Sequence, residues 1–112
     1  MAFSVRSEVA DNGIAKIYVA GELDASSAPA FRSEIDSVAP NHPKRLVLVM
    51  NELTYMASAG LRVLIFARQK MDSDTEIYCV GVAPSILETL QMTGMNHSVT
   101  IVDTEAEAEA GL

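Results

Sequence analysis

The chain has 112 residues, of which 49% are hydrophobic, and its formal net charge is −7. This length suits a single domain and the hydrophobic content supports a core, so disorder over the whole length is excluded. We expect no nucleic-acid and no membrane partner, because the charge is negative and the 8 Lys and Arg residues are scattered along the chain. A partner with a basic surface would be attracted instead.

The number of cysteines and the lack of long apolar segments indicate in which cellular compartment the protein is expected. The single cysteine, Cys79, excludes an internal disulfide and fits a reducing cytoplasm. It lies in an apolar run with no His near it in sequence, so we interpret it as a core residue. The start of the chain lacks the apolar segment of a signal peptide, and no apolar stretch approaches the ~20 residues of a membrane-spanning helix. A soluble, cytoplasmic protein is expected.

The N-terminal part predicts a β-hairpin. Apolar and polar residues alternate over residues 3–9 and over residues 14–19, and the DNG sequence at 11–13 between them favours a turn. The second strand is expected to end within residues 21–24, which read GELD.

A first helix is predicted to follow and to run to about residue 38. Phe31, Ile35 and Val38 recur at helical spacing, and Pro29 suits a first turn. Asp24 has two interpretations. It is a capping or turn-forming carboxylate, or it contacts a partner beside the loop that contains Ser58.

The central segment predicts a buried strand, a short loop and a helix. Residues 45–50 are an arginine followed by a continuous apolar run, which is typical of a strand buried on both faces. Residues 51–57 are interpreted as the loop. Apolar residues at helical spacing follow from Leu61, and Ser58 just before them is expected to be the helix N-cap.

The start of this central helix predicts a site for negative charge. Ala59 and Gly60 are small, so the first backbone N–H groups would be accessible at the positive end of the helix dipole. A phosphate esterified to Ser58 would lie there, and the alternative is that Ser58 is only a cap. We interpret Gly60 as giving a partner close access, so Gly60→Ala is expected to be neutral or mildly stabilising to the fold. The alternative is that Gly60 packs against the sheet or has a positive φ, and then the change would destabilise the fold.

The C-terminal half predicts another strand over residues 76–82 and a helix that opens at Pro84. Ser85 and Glu88 have the spacing of a capping box, and Gly94 is the candidate C-cap. Ile86, Leu87 and Leu90 are expected to form the buried face of this helix. Met92 and Met95 follow that face, and we interpret them as core residues, with an adaptable binding edge as the alternative.

The end of the chain predicts a last strand over residues 98–102 and a short helix in residues 103–112. Thr104 and Glu107 have capping-box spacing, but the alternating Glu and Ala residues offer only a weak apolar face. The terminal helix is therefore expected to fray.

The order of these elements predicts the fold class. Strands that alternate with helices imply crossover connections and parallel pairing. We therefore predict one α/β domain over residues 1–112, with a mixed, mostly parallel sheet, an N-terminal hairpin and helices packed on the sheet.

Enzyme motifs are absent from the sequence. It contains no G-x-S-x-G, Walker A or G-x-G-x-x-G motif. His42 and His97 have no Cys or carboxylate at metal-ligand spacing. We predict a protein that is not an enzyme, with no catalytic residue, cofactor or metal. Any kinase that acts on the chain would be a partner.

Residues 58–64, which read SAGLRVL, together with the strand and loop before them, resemble the signature region of the STAS domain, and in particular of bacterial anti-sigma factor antagonists. Residues 21–24 are similar to a G-x-L-D stretch of that family. The resemblance implies that the unphosphorylated protein binds an anti-sigma factor and so frees a sigma factor. It also implies that an anti-sigma kinase phosphorylates Ser58 and that a phosphatase would reverse this. The partner-binding residues that it implies are Asp24, Ser58, Ala59, Gly60, Leu61 and Arg62.

Two positions depart from the family pattern. Members often carry acidic residues directly before the phosphoserine and at the end of the preceding strand, where this chain has Ala57 and Val49. The alternative function is therefore a constitutive STAS adaptor without phosphoregulation. A third hypothesis is a small-ligand or nucleotide-binding module that uses the same helix N-terminus as an anion site.

Overall fold

Residues 2–112 are described by a computed structural model; Met1, the first residue of the predicted domain, lies outside them. Strands and helices alternate along the described chain. The strands are β1 (Ser4–Val9), β2 (Ile14–Leu23), β3 (Arg45–Met56), β4 (Glu76–Val80) and β5 (Thr100–Val102). The helices are α1 (Ala28–Val38), α2 (Ser58–Lys70), α3 (Pro84–Thr93) and α4 (Glu105–Glu109), with short 3-10 turns at Ala39–Asn41 and Met95–His97.

Within residues 2–112 the strands form one sheet in the order β1-β2-β3-β4-β5. β1 pairs antiparallel with β2, and the other neighbours are parallel. The parallel strands need crossover connections because each begins at the edge opposite to the one where its predecessor ends. The predicted α/β class, with an N-terminal hairpin and a mostly parallel sheet, is confirmed.

The main core lies between one face of the sheet and the helices α1, α2 and α3. In β3, Leu46 and Leu48 face this core, whereas Val47 and Val49 face the other side, as the two-residue period of a strand requires. The first six residues of β3 are all buried, which confirms the prediction of a strand buried on both faces. The predicted apolar face of α1 is buried as well, at Phe31, Ile35 and Val38.

β3 is longer than the sequence predicts. Residues 51–56, which we interpreted as a loop, continue the strand to Met56. They pair with the second half of β2, from Ala20 opposite Glu52 to Leu23 opposite Met56. The long β2 presents backbone N–H and C=O groups that need partners, and these bring the polar segment into the sheet. The loop interpretation was wrong, and Ala57 alone separates β3 from α2.

The ends of several other elements also differ from prediction. β1 begins at Ser4, β4 ends at Val80 and β5 is confined to Thr100–Val102. The predicted capping box of α3 is wrong, because Ala83 is the N-cap, Ser85 lies inside the helix, and no described side chain caps it. The left-handed Gly94, with a φ of 77°, is the predicted C-cap.

The two methionines near the end of α3 differ in burial. Met95 is 8% exposed and belongs to the core, as predicted, whereas Met92 is 79% exposed and the core prediction for it was wrong. Met92 comes two residues after the buried Leu90, and a rotation of about 100° per residue turns it away from the sheet.

α4 covers the sheet face opposite to the other helices. Ala108 is fully buried there, in a cluster with Ile14, Val47, Val49 and Val80. The fraying that we predicted for this terminal helix from its weak apolar face stays a prediction. One buried alanine would hold a short helix poorly, and polar contacts from the sheet supply the rest.

Arg45, which is 4% exposed, anchors the end of α4. Its guanidinium donates hydrogen bonds to the carbonyl oxygens of Ala108 at 2.9 Å and Ala110 at 2.8 Å. It also donates to Glu76 Oε1 at 2.7 Å and lies over the Tyr78 ring, 4.4 Å from its centroid. The last carbonyls of a helix have no partner within the helix, so the arginine satisfies groups that would otherwise be unpaired.

A cap at the start of α4 and two ion pairs with Lys16 also hold this helix. Thr104 Oγ1 accepts a hydrogen bond from the backbone N–H of Glu107 at 3.2 Å, so the predicted cap is confirmed. Lys16 Nζ lies 3.1 Å from Glu105 Oε1 and 3.2 Å from Glu109 Oε2. The hydrogen bond from Lys16 holds the pKa of Glu105 below its ordinary value.

Arg45→Met tests how far this anchor contributes to stability. Met fills similar space but leaves the Ala108 and Ala110 carbonyls without their donor, so the free energy of unfolding should fall by about 1–3 kcal/mol. Arg6→Met is the matched control, because Arg6 is 63% exposed in its side chain and should change stability by at most about 0.5 kcal/mol. Urea unfolding of both variants measures this, and equal shifts would contradict the anchor.

Candidate functional site

The predicted site lies at the sheet edge where β2 and β3 end side by side. Leu23, the last residue of β2, is paired with Met56, the last residue of β3. The backbone N–H of Ala57 donates to the carbonyl oxygen of Leu23 at 2.8 Å. Asp24 and Ser58 each follow closely on these paired residues, so the structure brings both predicted site residues to one edge. Ligand sites of parallel sheets commonly lie at this edge.

Ser58 is the first residue of α2 and not its N-cap, so the predicted capping role was wrong. Ala57 occupies the N-cap with an extended backbone (φ −82°, ψ 173°). Its carbonyl oxygen accepts from the N–H groups of Gly60 at 2.9 Å and Leu61 at 3.2 Å. Ser58 is exposed, and its hydroxyl has no hydrogen-bond partner anywhere in residues 2–112.

The first backbone N–H groups of α2 remain open. Those of Ser58 and Ala59 have no acceptor among the described residues, and Ala57 supplies no side-chain cap. Such groups lie at the positive end of the helix dipole. A phosphate on the Ser58 hydroxyl would therefore face a favourable local potential, as the sequence predicts.

Gly60 lies on the inner side of α2, which corrects our interpretation of it as an access point. It is buried, and its φ is not positive. A Cβ added at Gly60 would lie 2.7 Å from Leu23 Cγ and 2.8 Å from Met56 Cγ. The glycine lets α2 pack directly on the ends of β2 and β3. Of the residues predicted to contact a partner, it is the one that is buried.

The other predicted residues of α2 divide by exposure. Ala59 and Leu61 are partly buried against the main core. Arg62 is exposed and forms no hydrogen bond or ion pair with any described residue. Ser58 and Arg62 are one helical turn apart, so both point from the same side of α2.

Asp24 holds the turn between β2 and α1. Its Oδ1 accepts hydrogen bonds from Ser26 Oγ at 2.7 Å, from the Ser26 N–H at 3.0 Å and from the Ser27 N–H at 3.1 Å. The bond from the Ser26 hydroxyl, followed by that from the Ser27 backbone, holds the pKa of Asp24 below its ordinary value. The turn-forming interpretation is thereby supported, and a partner contact by Asp24 stays a prediction.

A groove of about 410 Å³ runs between α1 and α2 beside Ser58. Sequence reasoning found only its α2 side and missed Arg32, which lies on α1. Small residues at three- to four-residue spacing around the start of α1 could have indicated a helix face open to a neighbour. Which part of α2 lies against that face is decided by the packing of the two helices, so the sequence alone did not show it. The groove is lined by Ala25, Ala28, Pro29, Arg32, Ala59, Arg62 and Val63.

Comparison with known proteins identifies the family. The sequence pattern of the STAS domain matches residues 7–108. The chain belongs to the STAS domain family. It is 24% identical over 110 residues to the anti-sigma-F factor antagonist RsfB of Mycobacterium tuberculosis, covering 97% of this chain and 90% of RsfB. It is 26% identical over 108 residues to an anti-sigma-B factor antagonist of Listeria monocytogenes, covering 96% of this chain and 95% of the relative.

The fold of this STAS domain also matches solved structures. The crystal structure of an anti-sigma factor antagonist from Mycobacterium paratuberculosis superposes with a TM-score of 0.86 at 25% identity, covering 96% of this chain and 91% of the other. Near-complete coverage in both directions means that the two chains share this fold over nearly their whole lengths.

Three further observations concern other chemistry in the STAS domain. Cys79 is fully buried, which confirms it as a core residue, and burial raises the pKa of its thiol to about 12. Residues 2–112 contain no cluster of three or more His, Cys, Asp or Glu side chains arranged to hold a metal ion. Among the described helices, none is long and apolar enough to cross a membrane.

Gly60→Ala should now destabilise the STAS domain, contrary to the expectation from sequence. The added methyl group must displace Leu23 and Met56 at a cost of about 1–3 kcal/mol, which outweighs the better helix propensity of Ala. Thermal melts of Gly60→Ala, Leu23→Ala and the double variant test this. The double variant should lose less than the sum of the single losses, because Leu23→Ala makes room. An unchanged melting temperature for Gly60→Ala would contradict the packing.

Ala57→Asp should stabilise the domain. Ala57 already has the extended backbone of an N-cap, and a carboxylate there would accept from the open N–H groups of the first turn. The expected gain is about 1 kcal/mol in the free energy of unfolding, measured with urea. Ala57→Asn separates capping from charge, since it should give a similar gain. A loss of stability in both variants would contradict the assignment of Ala57 as the N-cap of α2.

Proposed function

We propose that this STAS protein is an anti-sigma factor antagonist that acts in the cytoplasm. The unphosphorylated form binds an anti-sigma factor and so frees a sigma factor for transcription. The observation that carries the proposal is the exposed Ser58 at the start of α2, at the edge where β2 and β3 end, with no hydrogen-bond partner for its hydroxyl within residues 2–112. The names of the relatives from Mycobacterium and Listeria support it.

Phosphorylation of Ser58 by the anti-sigma factor, acting as a serine kinase, is proposed to switch binding off. A phosphate adds about −1.5 to −2 charges at neutral pH. Placed in a contact surface that must lose its water, this charge opposes association without any rearrangement of α2. A phosphatase would restore the binding form. In this proposal Ser58 receives the phosphate, and the protein itself catalyses nothing.

A constitutive adaptor is the alternative, and Ala57 is the observation that favours it. The family often has a carboxylate at this position, next to the phosphorylated serine, and its absence removes one feature that a kinase would recognise. Val49 carries less weight than the sequence suggests. It lies in the middle of β3, 7% exposed and packed in the cluster beneath α4, so it is remote from the helix start.

Ser58→Ala and Ser58→Asp separate the two functions. Each purified variant is titrated with the anti-sigma factors encoded in the genome of the source organism, with and without ATP, and phosphate is mapped by mass spectrometry. The switch predicts ATP-insensitive binding by Ser58→Ala and binding weakened about tenfold or more by Ser58→Asp.

Ser98→Asp is the matched control, because Ser98 is exposed just before β5, at the opposite edge of the sheet. It should bind like the wild type. Equal binding by the Ser58 variants, or phosphate found only on other residues, would contradict the switch and favour the adaptor.

A further inference from the structure

Two arginines that line the groove beside Ser58 have no acidic partner among the described residues. Arg6, Lys16, Arg45 and Lys70 each pair with a carboxylate. The guanidinium groups of Arg32 and Arg62 form no ion pair with any residue that the structure describes. The chain has 15 Asp and Glu residues and a net charge of −7, so acidic partners are plentiful elsewhere. Among the described residues Lys44 and Arg68 also form no ion pair, but Lys44 lies at the opposite edge of the sheet and Arg68 donates to the carbonyl oxygens of Thr75 and Asp72. What distinguishes Arg32 and Arg62 is that both line one groove.

Arg32 and Arg62 line the same groove from opposite sides, one on α1 and one on α2. The other residues that line the groove are small or apolar. The Arg32 guanidinium lies over the Phe66 ring, 4.0 Å from its centroid. Stacking on an aromatic face holds a guanidinium in place while its N–H donors remain at the rim of the plane. Two sets of charged donors thus border one concave site whose other lining residues are small or apolar.

We propose that this groove receives an Asp or Glu side chain of the anti-sigma factor, with Arg32 and Arg62 as its ligands. The inference rests on the proposed function and names the chemistry of the partner at that site. A carboxylate has the charge and the paired acceptor oxygens that guanidinium groups bind best. The groove also adjoins Ser58, so it continues the surface proposed above, with Ala59 common to both.

The same geometry links the groove to the switch. Arg62 follows Ser58 by one helical turn, within reach of a group attached to the serine. A phosphate on Ser58 would compete with the partner's carboxylate for Arg62. Phosphorylation would then remove a ligand from the groove in addition to placing negative charge beside it.

Charge reversal tests the groove. Arg62→Glu and Arg32→Glu should each weaken binding to the anti-sigma factor that binds the wild type, by about 10- to 100-fold. Lys44→Glu is the matched control, because it makes the same charge change at an exposed residue just before β3, at the opposite edge of the sheet. It should change the Kd by less than about threefold. Thermal melts verify that all three variants remain folded.

Cross-linking identifies the occupant directly. Arg62→Lys keeps the charge and supplies an amine, which carbodiimide couples to a carboxylate in direct contact. Mass spectrometry of the cross-linked complex should find position 62 joined to an Asp or Glu of the anti-sigma factor. Changing that partner residue to Lys should restore binding to Arg62→Glu.

The outcomes separate this inference from the proposed function. If the wild type binds an anti-sigma factor and Arg32→Glu and Arg62→Glu bind it equally well, the inference that the groove receives a carboxylate is wrong. The proposed antagonist function would be unaffected by that result. A cross-link from position 62 to a second copy of this chain would also overturn the groove inference. If the wild type binds no anti-sigma factor, the proposed function fails and the groove inference fails with it.

Discussion

The pairing of the last residues of β2 with the last residues of β3 is the constraint on which the site depends. It places Leu23 opposite Met56, and the Ala57 N–H then donates to the Leu23 carbonyl at 2.8 Å. The chain must enter α2 immediately after this bond, so the helix start is held against the sheet. Gly60, two residues later, lies on the side of α2 that packs against Leu23. Ser58 lies on another side of the same helical turn and is exposed to solvent.

The two faces of the sheet serve different purposes. The face under α1, α2 and α3 holds the main core and aligns α1 with α2, which creates the groove beside Ser58. The opposite face is covered by α4, whose last carbonyls accept hydrogen bonds from the buried Arg45. α4 packs on β3, β4 and β5, on the face of the sheet away from the groove. Changes at the terminal helix should leave the chemistry of the groove intact.

Net charge and local charge have opposite signs at the proposed contact surface. The net charge of −7 attracts basic partners over a distance of about one Debye length. At the groove, Arg32 and Arg62 present donors that suit a carboxylate. Long-range attraction affects the rate of encounter, whereas short-range donors discriminate between partners. A phosphate on Ser58 would act at short range, within the contact surface that has lost its water.

The sequence by itself determined the features that depend on local periodicity and backbone chemistry. Helical spacing located the buried face of α1 at Phe31 and Ile35, and alternation located the hairpin, because each pattern needs only neighbouring residues. The STAS signature pointed to Ser58. Tertiary structure alone decided that residues 51–56 join the sheet and that Gly60 faces inward. It also brought Arg32 beside α2. In each case at least one deciding partner lies far away in sequence, as Leu23 does from Gly60, so local patterns did not settle the outcome.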